Sequence, residues 1–437
     1  MDIFIKIVQL ILALSILVLV HELGHFFFAR LFKIRVEKFY LFFDAWFSVF
    51  KFKPKNSDTE YGIGWIPLGG YCKISGMVDE SMDKEALKGE PQPWEFRSRP
   101  TWQRFLVMFG GVFFNFILAI LIYAGSLFTW GESYLKNSDA VYGVHCSDLA
   151  LQMGFMNGDK ILTIDDKEID DFRDIQLILI RDQPKEATIL RGGETMNIAL
   201  SYSPEIIKTT IFEPRRPHIV GIVPDSSANS GRLLPGDKIV AIDSIETSIA
   251  QDIAGILANN KGGTVNATLI RDNREMEMPL SVDTLGKLGI ILESDLSKFF
   301  NITTHEYSLL GSIPAGFNKT TSMISGYLKD LRLIFTPETE AYKSVGSFIT
   351  IGSIFPSSWS WEAFWSITAL LSIMLAVLNL LPIPLLDGGH ILFLMYEIVT
   401  RRKPGDKFME YASIVGMVIL FAIMILALGN DILRLFR

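Results

Sequence analysis

Three long stretches of this chain carry no charged side chain, and they set the terms for any fold. Phe105 to Trp130 contains no Asp, Glu, Lys or Arg, and the same holds for Ala363 to Leu386 and for Tyr411 to Asn430. Each is long enough to cross a hydrocarbon core about 30 Å thick at about 1.5 Å per helical residue. A fourth apolar run, Ile7 to Val20, leads straight into His21-Glu22-Leu23-Gly24-His25 and then Phe26-Phe27-Phe28. No small-residue cleavage site followed by a polar start interrupts it, so it reads as a span and not as a signal peptide. The expected fold class is a multi-spanning α-helical membrane protein with four transmembrane helices, at 1–30, 105–130, 362–392 and 408–432.

Charge and cysteine content exclude several functions. A net charge of -7 argues against a nucleic-acid partner, because phosphate binding needs a basic face. Cys72 and Cys146 are the two cysteines, too few for a zinc ribbon or a disulfide scaffold. Any metal must therefore be held by histidines and carboxylates.

Basic residues orient the spans. Arg30, Lys33, Arg35 and Lys38 follow the first span, Arg97, Arg99 and Arg104 precede the second, and Arg401, Arg402 and Lys403 join the last two. Lys and Arg concentrate in cytoplasmic loops, so both connections are expected in the cytoplasm. Both chain ends and the large central segment then lie on the extracytoplasmic, or periplasmic, side; Arg434 and Arg437 run against this but are outnumbered.

Between the first two spans, residues 31–104 form a loop with strand character. Its segment Tyr61-Gly62-Ile63-Gly64-Trp65-Ile66-Pro67-Leu68-Gly69-Gly70-Tyr71-Cys72-Lys73-Ile74 mixes aromatic, β-branched and glycine residues, predicting a membrane-associated β-hairpin at about 58–75. The soluble-looking segment from 131 to 300 repeats itself. Asn157-Gly158-Asp159-Lys160-Ile161 matches Pro235-Gly236-Asp237-Lys238-Ile239, and Ala187-Thr188-Ile189-Leu190-Arg191 matches Ala267-Thr268-Leu269-Ile270-Arg271. Offsets of 78 residues for the first block and 80 for the second predict two copies of one small α+β domain, at 131–213 and 214–300, whose pattern resembles the PDZ domain. Residues 301–361 read as an amphipathic helical connector, lying either at the membrane surface or against the second copy.

The chemistry starts at His21 and His25. Four residues apart on a helix, they share a face and reach one metal ion. Glu22 lies beside them, where it can take a proton from water polarised by that metal. A carboxylate deep in a span costs roughly 2.5–3.5 kcal/mol, so a Glu22 without a role is hard to account for. A catalytic zinc wants a third protein donor. Asp387 closes the third uncharged run just after Pro382 and Pro384 break its helix, and is our third ligand; His390, three residues on, is the rival. Asn115 also reads as a polar residue gluing spans together.

Together these residues resemble the site-2 protease family of intramembrane zinc metalloproteases, in its bacterial RseP-type form with tandem PDZ domains. The resemblance rests on His21-Glu22-Leu23-Gly24-His25, on Gly111-Val112-Phe113-Phe114-Asn115, and on Asn379-Leu380-Leu381-Pro382-Ile383-Pro384-Leu385-Leu386-Asp387-Gly388-Gly389. It implies Zn2+ held by His21, His25 and Asp387 with Glu22 as the general base. It further implies that Asn379, Pro382 and Pro384, together with Gly111 and Asn115, position the substrate. The hairpin residues Ile63, Gly64 and Trp65 are expected to receive it as an added strand in a membrane re-entrant β-loop.

The expected activity is zinc-dependent cleavage of single-span membrane proteins within the bilayer. This is regulated intramembrane proteolysis, of anti-sigma factors for example, and extends to remnant signal peptides. The active site would face the cytoplasmic side of the inner membrane, and the PDZ-like pair would bind or exclude extramembrane parts of substrates. Two other classes fit less well. A scaffold that binds partner C-termini has no need of Glu22, and a metal transporter lacks inverted repeats and leaves the PDZ-like pair unexplained.

Overall fold

The computed structural model describes residues 2–77, 90–207, 209–247 and 249–436; positions 78–89 of the expected 31–104 loop lie outside the described residues. The chain divides into two compact units. One comprises 1–131, 306–335 and 342–437, and the other comprises 132–305 with 336–341.

Among the described residues of the first unit, four helices are long and apolar enough to cross a membrane: α1 (Asp2–Leu31), α2 (Thr101–Trp130), Trp361–Leu380, and Asp406–Leu435 over its stretch Lys407–Arg434. The last one leaves Val418, Phe421, Met424 and Ile425 exposed, a surface that suits lipid better than water. The run expected as one span over 362–392 is two helices, Trp361–Leu380 and Asp387–Thr400. Proline explains the break. Pro382 and Pro384 bring no backbone N–H, and a residue before proline is driven out of the helical region. Leu381, preceding Pro382, accordingly sits at φ -60°, ψ 143°.

Glycine sets how closely the helices approach. A Cβ on Gly24 of α1 would lie 2.2 Å from the carbonyl oxygen of Gly110 in α2, so the two backbones touch there. The helix Leu309–Ile334 packs against α2 in the same way, since a Cβ on Gly316 would lie 2.7 Å from the amide nitrogen of Ala124.

The strand region is larger than the expected hairpin. It consists of β1 (Val36–Phe52) and β2 (Glu60–Ile74), each doubled back on itself. Val36–Leu41 pairs with Gly70–Ile74, Ser48–Phe52 pairs with Tyr61–Gly64, and Lys38–Leu41 also lies alongside Glu60–Ile63. The bends in β1 fall at Phe42 and Trp46, which take φ of 69° and 71°. Residues 69–74 thus form one margin of the sheet, and α1 runs along it: a Cβ on Gly70 would lie 2.7 Å from Val18 Cγ1.

In the second unit the repeat is visible as two sheets of identical strand order. Strands Lys167–Glu168, Lys160–Ile164, Glu186–Arg191 and Glu194–Ala199 form one; Ile245–Glu246, Lys238–Ile242, Thr264–Arg271 and Arg274–Ser281 form the other. Each has its own core, built on Ile161, Ile175 and Ile189 in the first and on Ile239, Ile253 and Leu269 in the second. The repeated Gly-Asp and Arg are explained here. Gly158 and Gly236 turn the chain at φ 92° and 94°, where a side chain would be strained. Arg191 then grips Asp159 through two bonds of 2.8 Å, and Arg271 grips Asp237 at 2.7 and 2.6 Å.

Candidate metal centre

The helical period of α1 puts His21 and His25 on one face, and α2 makes room for them. Gly111 is the reason they fit. A Cβ on it would lie 2.5 Å from His25 Nε2 and 2.6 Å from His21 Cε1, so a side chain there would displace both rings. The break at 381–386 does the rest, placing Asp387 on the first turn of its helix. Gly388 and Gly389 close that turn tightly, because a Cβ on either would run into the backbone of Leu380–Leu381 or Ile383–Pro384.

Three donor atoms converge as a result. His21 Nε2 and His25 Nε2 are 3.3 Å apart, and Asp387 Oδ2 lies 3.2 Å from the first and 3.4 Å from the second. Donors at about 2.0–2.1 Å from a tetrahedral zinc are separated by about 3.3 Å, so the triangle has the size that ion requires. Asp387 Oδ2 is buried and accepts no hydrogen bond, which a bound cation would explain. The residues present fit the metal. His390, the rival donor, is not in the group of three.

Around the triangle, His25 Nδ1 lies 2.8 Å from the carbonyl oxygen of Val107 and donates to it, leaving Nε2 bare for the metal. His21 Nδ1 lies 3.2 Å from the amide of Asn115, which is fully buried. Asn379, in the last turn of its helix, brings its amide nitrogen to 3.5 Å from His21 Nε2. Glu22 has His21, His25 and Asp387 as its charged neighbours, and the backbone of Cys72 lies beside its carboxylate. The strand margin at 69–74 therefore passes directly beside the acid.

A model of peptidase family M50 matches residues 9–423. The chain belongs to peptidase family M50. Like the family, it is a zinc metalloprotease. Its similarity to curated members runs nearly end to end. A Vibrio cholerae protein bearing a zinc metalloprotease name is 28% identical over 465 residues, covering 99% of this chain and 100% of its own. The regulator of sigma E protease of Haemophilus influenzae is 28% identical over 97% of this chain and 98% of its own. The metalloprotease MmpA of Caulobacter vibrioides is 28% identical over 98% of this chain and 96% of its own.

Other site expectations fall elsewhere in this M50 protease. Ile63 pairs with both Leu41 and Phe50, so no free strand edge remains at that residue. Gly64 pairs with Ser48, and a Cβ on it would lie 2.2 Å from the Phe43 carbonyl oxygen. Trp65 stacks on Phe47 at 5.6 Å and donates to the Ala45 carbonyl. These three residues build the sheet, whereas the 69–74 margin meets α1. Pro384 packs its backbone on Gly416 of the last helix and on Gly389, so it shapes the loop carrying Asp387. Val107, Cys72 and Ser372 join the site without any signal in the sequence. Val107 and Cys72 act through backbone groups, and Ser372, whose Oγ donates to the Asn115 carbonyl at 2.8 Å, carries no motif.

Proposed function

We propose that this protease is an endopeptidase that cuts the transmembrane segments of single-span membrane proteins. The observation that carries the reading is the donor triangle itself, which joins one helix apolar enough to cross a membrane with the helix that directly follows another. His21, His25 and Asp387 hold the zinc. When bound, the zinc supplies Lewis acidity, polarising a carbonyl and lowering the pKa of water to about 7. Glu22, with the Cys72 backbone beside it, takes the proton of the attacking water and hands it to the leaving amine.

A helical substrate hides its carbonyls in i to i-4 bonds and must be unwound before attack. In our reading the unwound stretch adds to the sheet at the 69–74 margin, because Cys72 in that margin lies beside Glu22 and the described pairings of residues 70–74 are with β1 on one side. Asn379 and the Pro382–Pro384 loop line the approach to the scissile bond. The two repeats of the second unit are PDZ-like, and they bind or exclude extramembrane parts of substrates. Basic residues flanking the spans favour a site on the cytoplasmic side of an inner membrane, with the repeats across it. The family resemblance makes anti-sigma factors the first substrates to try, in keeping with a relative named regulator of sigma E protease, and remnant signal peptides the second.

The test is cleavage of a single-span reporter by the purified full chain in liposomes, with the product mass measured. A cut inside the apolar segment, abolished by a chelator and restored by zinc, is the expected result. Cleavage confined to the soluble part of the reporter would overturn the reading.

A further inference from the structure

We infer that Asn115 is a positioning residue that fixes the hydrogen of His21 on Nδ1 and so keeps Nε2 open to the metal. The inference rests on the zinc reading above and goes beyond it, since the family resemblance makes Asn115 a contact for substrate. The chemistry is that of a neutral imidazole, which carries one hydrogen and one lone pair on its two nitrogens. His21 Nε2 faces His25 Nε2 and Asp387 Oδ2 at 3.3 and 3.2 Å. A hydrogen there would fill the space in which a cation must sit, so the ligating ring must carry it on Nδ1.

The atom available to accept it belongs to Asn115, whose amide is 3.2 Å from Nδ1. An amide's oxygen and nitrogen are alike in shape, and their partners decide which end points where. With the nitrogen toward the ring, Asn115 Oδ1 is buried and has no hydrogen-bond partner. With the oxygen toward the ring, that acceptor gains the Nδ1–H. His25 is served the same way by the Val107 carbonyl at 2.8 Å, so α2 orients both rings, once by backbone and once by side chain.

Asn115 is itself held in place. It is fully buried, and its own carbonyl accepts from Ser372 Oγ at 2.8 Å, tying this turn of α2 to the helix Trp361–Leu380. Gly111, one turn earlier on the same face, gives the rings their clearance. The spacing of four residues thus combines room for the imidazoles with an acceptor for one of them. Asn115 acts through His21.

Zinc affinity, measured on the purified full chain in detergent by chelator competition, separates the possibilities. Asn115→Leu keeps the side chain's size and removes the acceptor, and is expected to weaken zinc binding about 10- to 100-fold. Asn115→Asp keeps an acceptor at the same reach, and is expected to hold zinc within about threefold of wild type. A packing role predicts the reverse order, since leucine suits an apolar interior and a buried carboxylate does not. A substrate-contact role predicts unchanged affinity in both variants, and either of these patterns would overturn the inference. Wild-type protein that binds no zinc would instead defeat the metal reading on which it rests.

Discussion

His21 Nε2 and Asp387 Oδ2 face each other across 3.2 Å although they come from opposite ends of the chain. Neither the α1 helix nor the Asp387–Thr400 helix needs this contact for its own backbone bonding. It arises because Gly24 and Gly110 let α1 and α2 touch, and because the proline break delivers Asp387 into the resulting space. The site is thus an outcome of close helix packing, and glycine substitutions test it.

Gly111→Ala is expected to remove zinc and lower cleavage at least 100-fold, since its Cβ would sit 2.5 Å from His25 Nε2. Gly125→Ala, on the same helix with nothing within 4 Å of its Cβ, should change neither. Metal content of the two purified variants checks this. Equal zinc in both would mean that the rings do not depend on the clearance at Gly111.

The backbone of Cys72 lies beside Glu22, and in our reading its amide, not its thiol, serves the acid. Cys72→Ala should leave cleavage within about threefold of wild type. Cys72→Pro, which deletes the N–H, should lower it more than tenfold at unchanged zinc content. Equal rates in the two variants would remove the backbone donor from the mechanism.

In the second unit, Asp237 is almost wholly buried beneath Arg271. Removing one partner leaves a buried charge unpaired, so Arg271→Met should cost roughly 3 kcal/mol. The double variant Arg271→Met, Asp237→Leu should recover much of that loss. Thermal unfolding followed by limited proteolysis between residues 214 and 300 reads both.

Burial holds the His218 imidazole down at about 4 from its ordinary value of 6.5. Its folded form binds fewer protons than its unfolded form between those values. The second repeat should therefore keep its full stability above about pH 6.5 and lose it as pH falls toward 4, by about 3 kcal/mol in all. His218→Gln should flatten that part of the profile. An unchanged slope in the variant would assign the pH dependence to other groups.

Much of this architecture is legible in the amino-acid sequence alone. Uncharged runs announce helices long and apolar enough to cross a membrane, and His21 and His25 share a helix face by simple periodicity. The repeat is legible too, in the nearly equal offsets from Gly158 to Gly236 and from Arg191 to Arg271. What stays hidden is long-range or carried by backbone. Residues 36–52 lack clean alternation and bend through non-glycine residues at Phe42 and Trp46, which conceals their strand character. The repeat marks Asp159 and Arg191 as recurring residues without showing that they pair. Nor does any pattern in sequence say that Asn115 reaches His21, that Val107 receives His25, or that Cys72 reaches Glu22.

The central claim is a zinc protease in which Glu22 handles the proton while His21, His25 and Asp387 hold the metal. The most direct measurement compares zinc content and reporter cleavage in wild type and Glu22→Gln, each reconstituted in liposomes. The account predicts about one zinc per chain in both and loss of cleavage by several orders of magnitude in the variant. Undiminished cleavage by Glu22→Gln, or wild-type cleavage that persists without zinc, would contradict it.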